Sequence, residues 1–516
     1  MKSKKLSVTI SKRNLPKFST VESIQTKPEK EITSSKNARF RPSAQRDIDV
    51  ARERGMSLRE VLTHDILPNS ILFDGEFTTS TPDKSKLVTQ LEKDFPQNTV
   101  QMLPESDLKT VVLLDFMSKV RQFPKLISST NFGSVVKKVV NAGIKSAPSP
   151  EIVHVILDSY KDESVKEGER RRRADDVGSV EQYDVEESTP VPQQIDKFWA
   201  SSENKSRLLQ LTRRVVVARN FQANMIISGM ILDQELLPAM YIPYERGSEE
   251  IGDLTSWQEA DEPIVPYAEY AVNNGCQRLV VVSNGTDVVA RLLRYVHSLR
   301  GKGLQECWVE YSTGERRRLI PLHNLAEKMG YSLCQVLVKA HILTGDDVTS
   351  KIGTKLAALH CEPVSYLSSF VEQSHLSDTD IAQAEEYLVR VWSGARSKPK
   401  VKIFDELRAE VLLNKSSPTA LSNLPPTSSV IRGHITRAFY CTRQVIHPQG
   451  SQMDCCEYGW QSVDGTLKPT KHLKPLPTSM TITCSCSGKC ANCPCRRNDS
   501  KCVAYCHKKH NTICQN

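Results

Sequence analysis

The stretch from Cys484 to Asn516 holds eight of the chain's 15 cysteines. Their order is Cys484-x-Cys486-x3-Cys490-x2-Cys493-x-Cys495-x6-Cys502-x3-Cys506, followed by His507, His510 and Cys514. Short C-x-C and C-x2-C steps let one turn of backbone deliver two thiolates to the same ion. Zinc takes four such ligands tetrahedrally, with sulfur about 2.3 Å away. Eight cysteines and two histidines exceed the needs of two separate four-ligand sites, and bridging thiolates could accommodate a third ion. The segment is too poor in apolar residues to fold unaided, so bound metal would supply its folding energy. The alternative is an oxidised disulfide knot. No apolar stretch follows the basic start Met1-Lys-Ser-Lys-Lys, so no secretory route is expected, and a reducing compartment disfavours disulfides. The other cysteines (Cys276, Cys307, Cys334, Cys361, Cys441, Cys455, Cys456) are scattered and read as small buried hydrophobes.

A second set of residues could do chemistry of a different kind. Asp115, Asp158, Glu259, Asp261, Asp287, Asp346 and Asp347 are carboxylates that several chain segments present near turns. If they converge, they repel one another unless cations neutralise them, and such oxygen ligands suit Mg²⁺ or Mn²⁺. Two ions about 3.5–4 Å apart would stabilise both the attacking and the leaving oxygen of a phosphodiester. The plainer reading of any single one is a helix N-cap or a turn residue.

The elements that must position these carboxylates are short apolar runs. Val111–Leu114 ends in Asp115, Val153–Leu157 ends in Asp158, and Leu279–Val282 precedes Asp287. Each is too short for a helix and reads as a buried strand. Helical patterns around Phe132–Asn141 and Gln258–Asn274 separate them. Strand–helix alternation of this kind predicts an α/β fold with a parallel sheet, whose functional groups gather beyond the carboxyl ends of the strands. Ser57-Leu-Arg-Glu60 fits a capping box and Asp74-Gly75 a turn.

In this order and context the residues resemble the flap-endonuclease and PIN-like nuclease superfamily. Val111–Phe123 (VVLLDFMSKVRQF) is similar to its first strand, and Val155–Arg173 (VILDSYKDESVKEGERRRR) to its second strand and basic helix. The resemblance implies metal-ligand roles for Asp115, Asp158, Glu259, Asp261, Asp287 and Asp347. It implies phosphate contacts by Lys166 and Arg173, and duplex-backbone contact at the Ile-Gly-x-Lys-x-Ala turn through Gly353 and Lys355. The chain departs from the pattern at Gly285, where relatives carry an acid, and at Asp346, where they carry cysteine. Pro263 and Pro266 are also poor residues for the helix that should follow Asp261. The cysteine tail resembles half of a tesmin/TSO1-like CXC domain. Its first gap is one residue shorter, Lys508 stands where a cysteine is expected, and Ala491-Asn492 replace the segment holding the family's DNA-reading tyrosine. Tyr505 lies elsewhere. From about residue 40 onward the chain resembles a group of animal proteins of mobile-element derivation that join these two parts.

The remaining composition bounds the organisation. The chain is 39% apolar and 25% charged, with a formal net charge of +9, which permits a polyanionic partner. No apolar run is long enough to span a membrane. The expected layout is a disordered basic N-terminus (1–50), a helical or irregular lead-in (51–105) and the PIN-like domain (106–375) with a charged insertion (161–200). A helical extension and linker (376–430), a connector (431–480) and the zinc-binding segment (481–516) follow. The run Arg170–Arg173 reads as a nucleic-acid contact, a solvated face or a nuclear localisation signal. Three functions remain open at this point. The first is a Mg²⁺- or Mn²⁺-dependent nuclease in the nucleus acting on DNA rather than RNA. The second is a nuclease fold that binds nucleic acid without cutting, and the third is an interaction scaffold with a structural zinc tail.

Overall fold

The computed structural model describes residues 41–67, 70–78, 85–122, 131–158, 165–166, 181–218, 221–232, 235–245, 247–252, 254, 263–312, 314–414, 421, 424–447, 453–486 and 490–507. Glu259, Asp261, Arg173, His510 and Cys514 lie outside these residues.

Eight strands form the central sheet: Thr110–Asp115 (β1), Ile152–Ile156 (β2), Asn224–Ile227 (β3), Ala239–Ile242 (β4), Glu249–Ile251 (β5), Arg278–Val282 (β6), Glu306–Tyr311 (β7) and Arg318–Pro321 (β8). Their order across the sheet is β8-β7-β6-β1-β2-β3-β4-β5. The five central strands, β7 through β3, pair in parallel, while β8 joins one edge and β4 and β5 the other by antiparallel pairing. The strands foreseen from the apolar runs are β1, β2 and β6, and all of β1 and β6 is buried. Alternation explains why such runs carry no polar face. Val111 and Leu113 enter one core and Val112 and Leu114 the other, and Leu279, Val281 and Val280, Val282 divide the same way. Helices therefore cover both faces, as a parallel sheet requires.

The helices include Arg41–Glu53 (α1), Phe116–Val120 (α2), Phe132–Ile144 (α3), Ser202–Ala218 (α4), Ile264–Asn273 (α5), Thr286–Gly301 (α6), Leu322–Met329 (α7), Tyr331–Leu343 (α8), Lys355–His360 (α9), Asp378–Ser393 (α10), Phe404–Asn414 (α11) and Ser428–Ile446 (α12). Helices α2, α3 and α4 pack on one face, and α5 through α8, α10 and α12 build the other. Local signals set several starts. Asn131 caps α3 by accepting from the Ser134 amide at 2.9 Å, and Ser377 and Asp380 form a capping box at α10.

Two stretches differ from the sequence reading. Residues 428–446, taken as linker and connector, form α12, whose Ile431, Ile435, Ala438 and Phe439 are fully buried in the same core as α10 and the sheet. Thr427 caps this helix through the Val430 amide, so the Pro-Pro-Thr-Ser-Ser run that reads as a linker is a helix start. Residues 41–50, taken as disordered, belong to α1. Its Ile48 and Ala51 pack with Val61, Leu62, Leu421 and Leu424 in a satellite core. Among the described residues no helix is long and apolar enough to cross a membrane.

Candidate functional site

The chain leaves β1 toward β2 on one side and leaves β6 toward β7 on the other. The carboxyl ends of β1 and β6 therefore flank the point where the crossovers diverge, the usual place for a crevice in an open α/β sheet. Asp115 ends β1 there. Its Oδ1 accepts the Ser118 amide at 2.9 Å, capping α2, and its Oδ2 accepts the Ser283 hydroxyl at 2.8 Å across the crevice. Ser118 returns the link, since its hydroxyl oxygen accepts the Asn284 amide at 2.8 Å. The register makes this pairing natural, because Leu114 lies level with Val282 and the next residues on each strand are Asp115 and Ser283. Asp158 follows two residues past Ile156, which lies level with Asp115, so it stands at the same edge, half-buried.

Asp287 sits in the first turn of α6, where a carboxylate complements the exposed amides of the helix start. Its Oδ1 accepts from Nε2 of His341 at 2.8 Å. His341, on α8, is 2% exposed, and burial above all, then the nearby Lys355, pushes its pKa down against the opposing pull of Asp287 and Asp346. At this contact the imidazole N–H donates and the Asp287 carboxylate accepts. Asp346 and Asp347 follow α8. Asp346 accepts the amides of Val348 and Thr349 at 2.9 and 2.8 Å, closing a turn, and Asp347 beside it is half-buried. Gly285 is the N-cap of α6 and offers no side-chain cap. Among the described residues, none of these carboxylates belongs to a trio of His, Cys, Asp or Glu ligand atoms within 4.8 Å of one another. The oxygen donors suit a hard divalent ion in type, but an ion would have to draw them closer.

The basic residues divide in their surroundings. Burial above all pushes the Cys441 thiol on α12 up, with Asp346 adding to the rise and Lys166 opposing it. Lys166 and Asp346 thus both lie close enough to this thiol to act on its charge. Lys355 is 5% exposed, and its ammonium donates to the carbonyls of His341 and Gly345 and to the Thr344 hydroxyl. It caps the carboxyl end of α8, so a phosphate contact by Lys355 would displace one of these acceptors. Gly353 has φ +62°, and a β carbon there would lie 2.6 Å from Val391 Cγ1 and 2.7 Å from the Val391 carbonyl oxygen. Only glycine fits this turn against α10.

The tail forms a second centre. Cys484, Cys495, Cys502 and Cys506 bring four sulfurs within 4.8 Å of one another. Two trios overlap it, Cys484, Cys486 and His507 through Cys484, and Cys490, Cys502 and His507 through Cys502, and a third, Cys486, Cys490 and Cys493, shares a cysteine with each of these trios. The sulfurs of Cys484 lie 3.6 Å from those of Cys486 and Cys502, Cys486 lies 3.5 Å from Cys490, and Cys495 lies 3.7 Å from Cys506. A tetrahedral ion with sulfur at about 2.3 Å sets sulfurs about 3.8 Å apart, whereas a disulfide needs about 2 Å. None of the described cysteines is in a disulfide, and the tail sulfurs lie at metal-clustering distances. Nδ1 of His507 lies 2.6 Å from the Cys486 carbonyl, while Nε2 faces the sulfurs of Cys490 and Cys484 at 3.4 and 3.7 Å. A proton on Nδ1 leaves Nε2 as the ligand nitrogen. Local amides point at the sulfurs too: Arg496 N at Cys493 and Val503 N at Cys506, 3.4 and 3.5 Å away. Burial raises the pKa of Cys506, but amide donors from Cys484 and Val503 and thiol donors from Cys495 and Cys484 outweigh it and hold it below the usual thiol value, whereas burial pushes Cys484 and Cys495 up.

The sequence reading missed Ser283, His341 and Arg54. Ser283 stands in the stretch already singled out around Gly285 but carries no charge to mark it. His341 lies 54 residues from Asp287, with no local pattern to connect them. Arg54 reaches Cys495 from 441 residues away.

No protein-family model and no curated protein matches the chain. Among solved structures it is similar to the crystal structure of T5 D15 protein co-crystallised with metal ions, at 11% identity, covering 66% of this chain and 100% of that one. The TM-score is 0.30, and at that score the likeness carries no argument about function.

Proposed function

We propose that the chain is a divalent-cation-dependent phosphodiesterase acting on nucleic acid, DNA rather than RNA, with a zinc-binding tail and a nuclear location. The observation that carries this reading is the hydrogen-bonded link between Asp115 and Ser283 at the carboxyl edge of a parallel sheet, with Asp158 and Asp287 on the flanking connections. Asp115, Asp158, Asp287 and Asp347, joined by Glu259 and Asp261, would hold Mg²⁺ or Mn²⁺. The ions, when bound, would supply charge stabilisation at the attacking and leaving oxygens of the phosphodiester. The chain's own residues orient that site. Ser283 and the Ser118 amide fix the Asp115 carboxylate, and His341 fixes that of Asp287, leaving its second oxygen turned away from the imidazole. Lys166, with Arg173, would steer a phosphate toward the edge, and the Gly353 turn would meet the duplex backbone. In the tail, Cys484, Cys486, Cys490, Cys493, Cys495, Cys502, Cys506 and His507, with His510 and Cys514, would hold the zinc. Soft sulfur donors at tetrahedral spacing support zinc over a hard ion there.

The test is to incubate the protein, Mg²⁺ or Mn²⁺, and flapped, nicked or single-stranded DNA and RNA. Cleavage that disappears in Asp158→Ala supports the reading. A second reading, nucleic-acid binding without cleavage, is favoured by Gly285, which removes an acid from the α6 cap. Salt-dependent binding with no cleavage under any of these conditions would establish it in place of the first.

A further inference from the structure

We propose that the N-terminal helix is a working part of the thiolate metal centre, through Arg54 as an outer-shell partner of the ligand sulfur of Cys495. The inference rests on the tail holding zinc. Cys495 is fully buried and belongs to the sulfur quartet with Cys484, Cys502 and Cys506. Four thiolates around one divalent ion leave a net charge of about −2, which is costly to bury without a counter-charge or donors to the sulfurs. Arg54 supplies both. Its Nη2 lies 3.5 Å from Cys495 Sγ and also donates to the Ile482 carbonyl. Its Nη1 donates to the Ser479 carbonyl at 2.9 Å and its Nε to that of Lys501 at 3.0 Å. All three nitrogens of the guanidinium therefore go to the tail. They grip the chain on both sides of the cluster, before Cys484 and just before Cys502.

Helix α1, which ends one residue before Arg54, continues the contact. Glu53 accepts the Ala504 amide at 2.8 Å, and Tyr505 donates its hydroxyl to Asp49 at 2.8 Å. Tyr505 and Ala504 lie between the ligands Cys502 and Cys506. The metal centre is thus assembled from both ends of the chain, and metal binding and docking of α1 are coupled. By reciprocity, the factor by which bound metal tightens docking of α1 is the factor by which docked α1 tightens metal binding. A plainer possibility is that Arg54 only pins two loops together, and the two differ in what they do to metal affinity.

The experiment measures zinc affinity of the full chain by competition with a chromophoric chelator, for the wild type, Arg54→Met, Arg54→Lys and Tyr505→Phe. Outer-shell partners typically contribute 10- to 100-fold to affinity. Arg54→Met is expected to weaken zinc binding by roughly that factor. Arg54→Lys keeps the charge without the fork and should fall between. Tyr505→Phe, which loosens α1 without touching a ligand sulfur, should weaken zinc binding less than Arg54→Met does. Hydrogen exchange on the same samples is expected to show faster exchange of the α1 amides when zinc is removed from the wild type. If Arg54→Met fails to fold, Arg54→Lys carries the comparison. Unchanged affinity in both Arg54 variants would overturn this inference alone. A wild type that binds no zinc would overturn the zinc reading and this inference with it.

Discussion

Restoring a carboxylate at Gly285 is the perturbation whose size follows most directly from the structure. Gly285 has φ −71° and ψ 122°, so an aspartate there strains no backbone, and it would cap α6, which now has no side-chain cap. Such a cap stabilises by about 1 kcal/mol. The β carbon would lie 3.1 Å from Val288 Cγ2, a contact that a small shift of the valine relieves, and 3.4 Å from Ser283 Oγ. Ser283 Oγ is in turn 2.8 Å from Asp115 Oδ2, so the new β carbon sits within about 6 Å of an existing carboxylate oxygen. Two like charges at that distance repel by about 3 kcal/mol at an effective dielectric constant near 20. Gly285→Asp is therefore expected to lose about 2 kcal/mol in buffer without divalent ions, the repulsion outweighing the cap. Added Mn²⁺ should recover that loss and stabilise the variant more than it stabilises the wild type, because a cation between the carboxylates reverses the sign of the interaction. Urea unfolding of zinc-loaded protein, with and without Mn²⁺, measures both quantities. A variant more stable than wild type without Mn²⁺, and no more responsive to it, would refute the claim that this edge gathers negative charge for a cation.

Other outcomes follow from buried groups. His154 in β2 is 1% exposed, and burial pulls its pKa from 6.5 to about 3. Because the folded value lies below the unfolded one, its contribution is complete above about pH 6.5 and is lost as the pH falls toward 3. At pH 5 that loss is about 2 kcal/mol, so His154→Leu should lose about 2 kcal/mol less than wild type between pH 7.5 and pH 5, read by urea unfolding. Gly353→Ala should cost about 2–5 kcal/mol, from the left-handed backbone and the overlap with Val391. Adding Val391→Ala should recover only part of this cost, since the carbonyl oxygen 2.7 Å away remains. Cys495→Ser should lower the zinc content seen by native mass spectrometry while leaving the thermal transition of the sheet domain in place, because the cysteine cluster and the main core are separate.

What was legible in the sequence and what was not have physical causes. Strands β1, β2 and β6 could be read because strands buried on both faces are nearly continuous apolar runs. Strand β7 could not, because Glu306 and Glu310 break its apolar pattern. Half-buried Glu306 pairs with Arg278 at 2.7 Å, and buried Glu310 pairs with Arg317 nearby and with Lys119, 191 residues away. Helix α12 was hidden in the same way, since His434, Arg437 and Thr442 lie on its buried side among the apolar residues. The clustering of the tail cysteines was legible from spacing alone, because short steps between them are a local property of the chain. The partners that orient both centres, His341 and Arg54, depend on how distant elements pack and leave no local trace.

The central claim is that the carboxyl edge of β1 and β6 is a divalent-cation site distinct from the thiolate centre. Electron paramagnetic resonance titration of zinc-loaded protein with Mn²⁺ tests it most directly. Saturable Mn²⁺ binding is expected that is lost in Asp115→Asn and Asp158→Ala and unchanged in Cys495→Ser. Absence of saturable binding in the wild type, or binding that survives both aspartate substitutions, would contradict it.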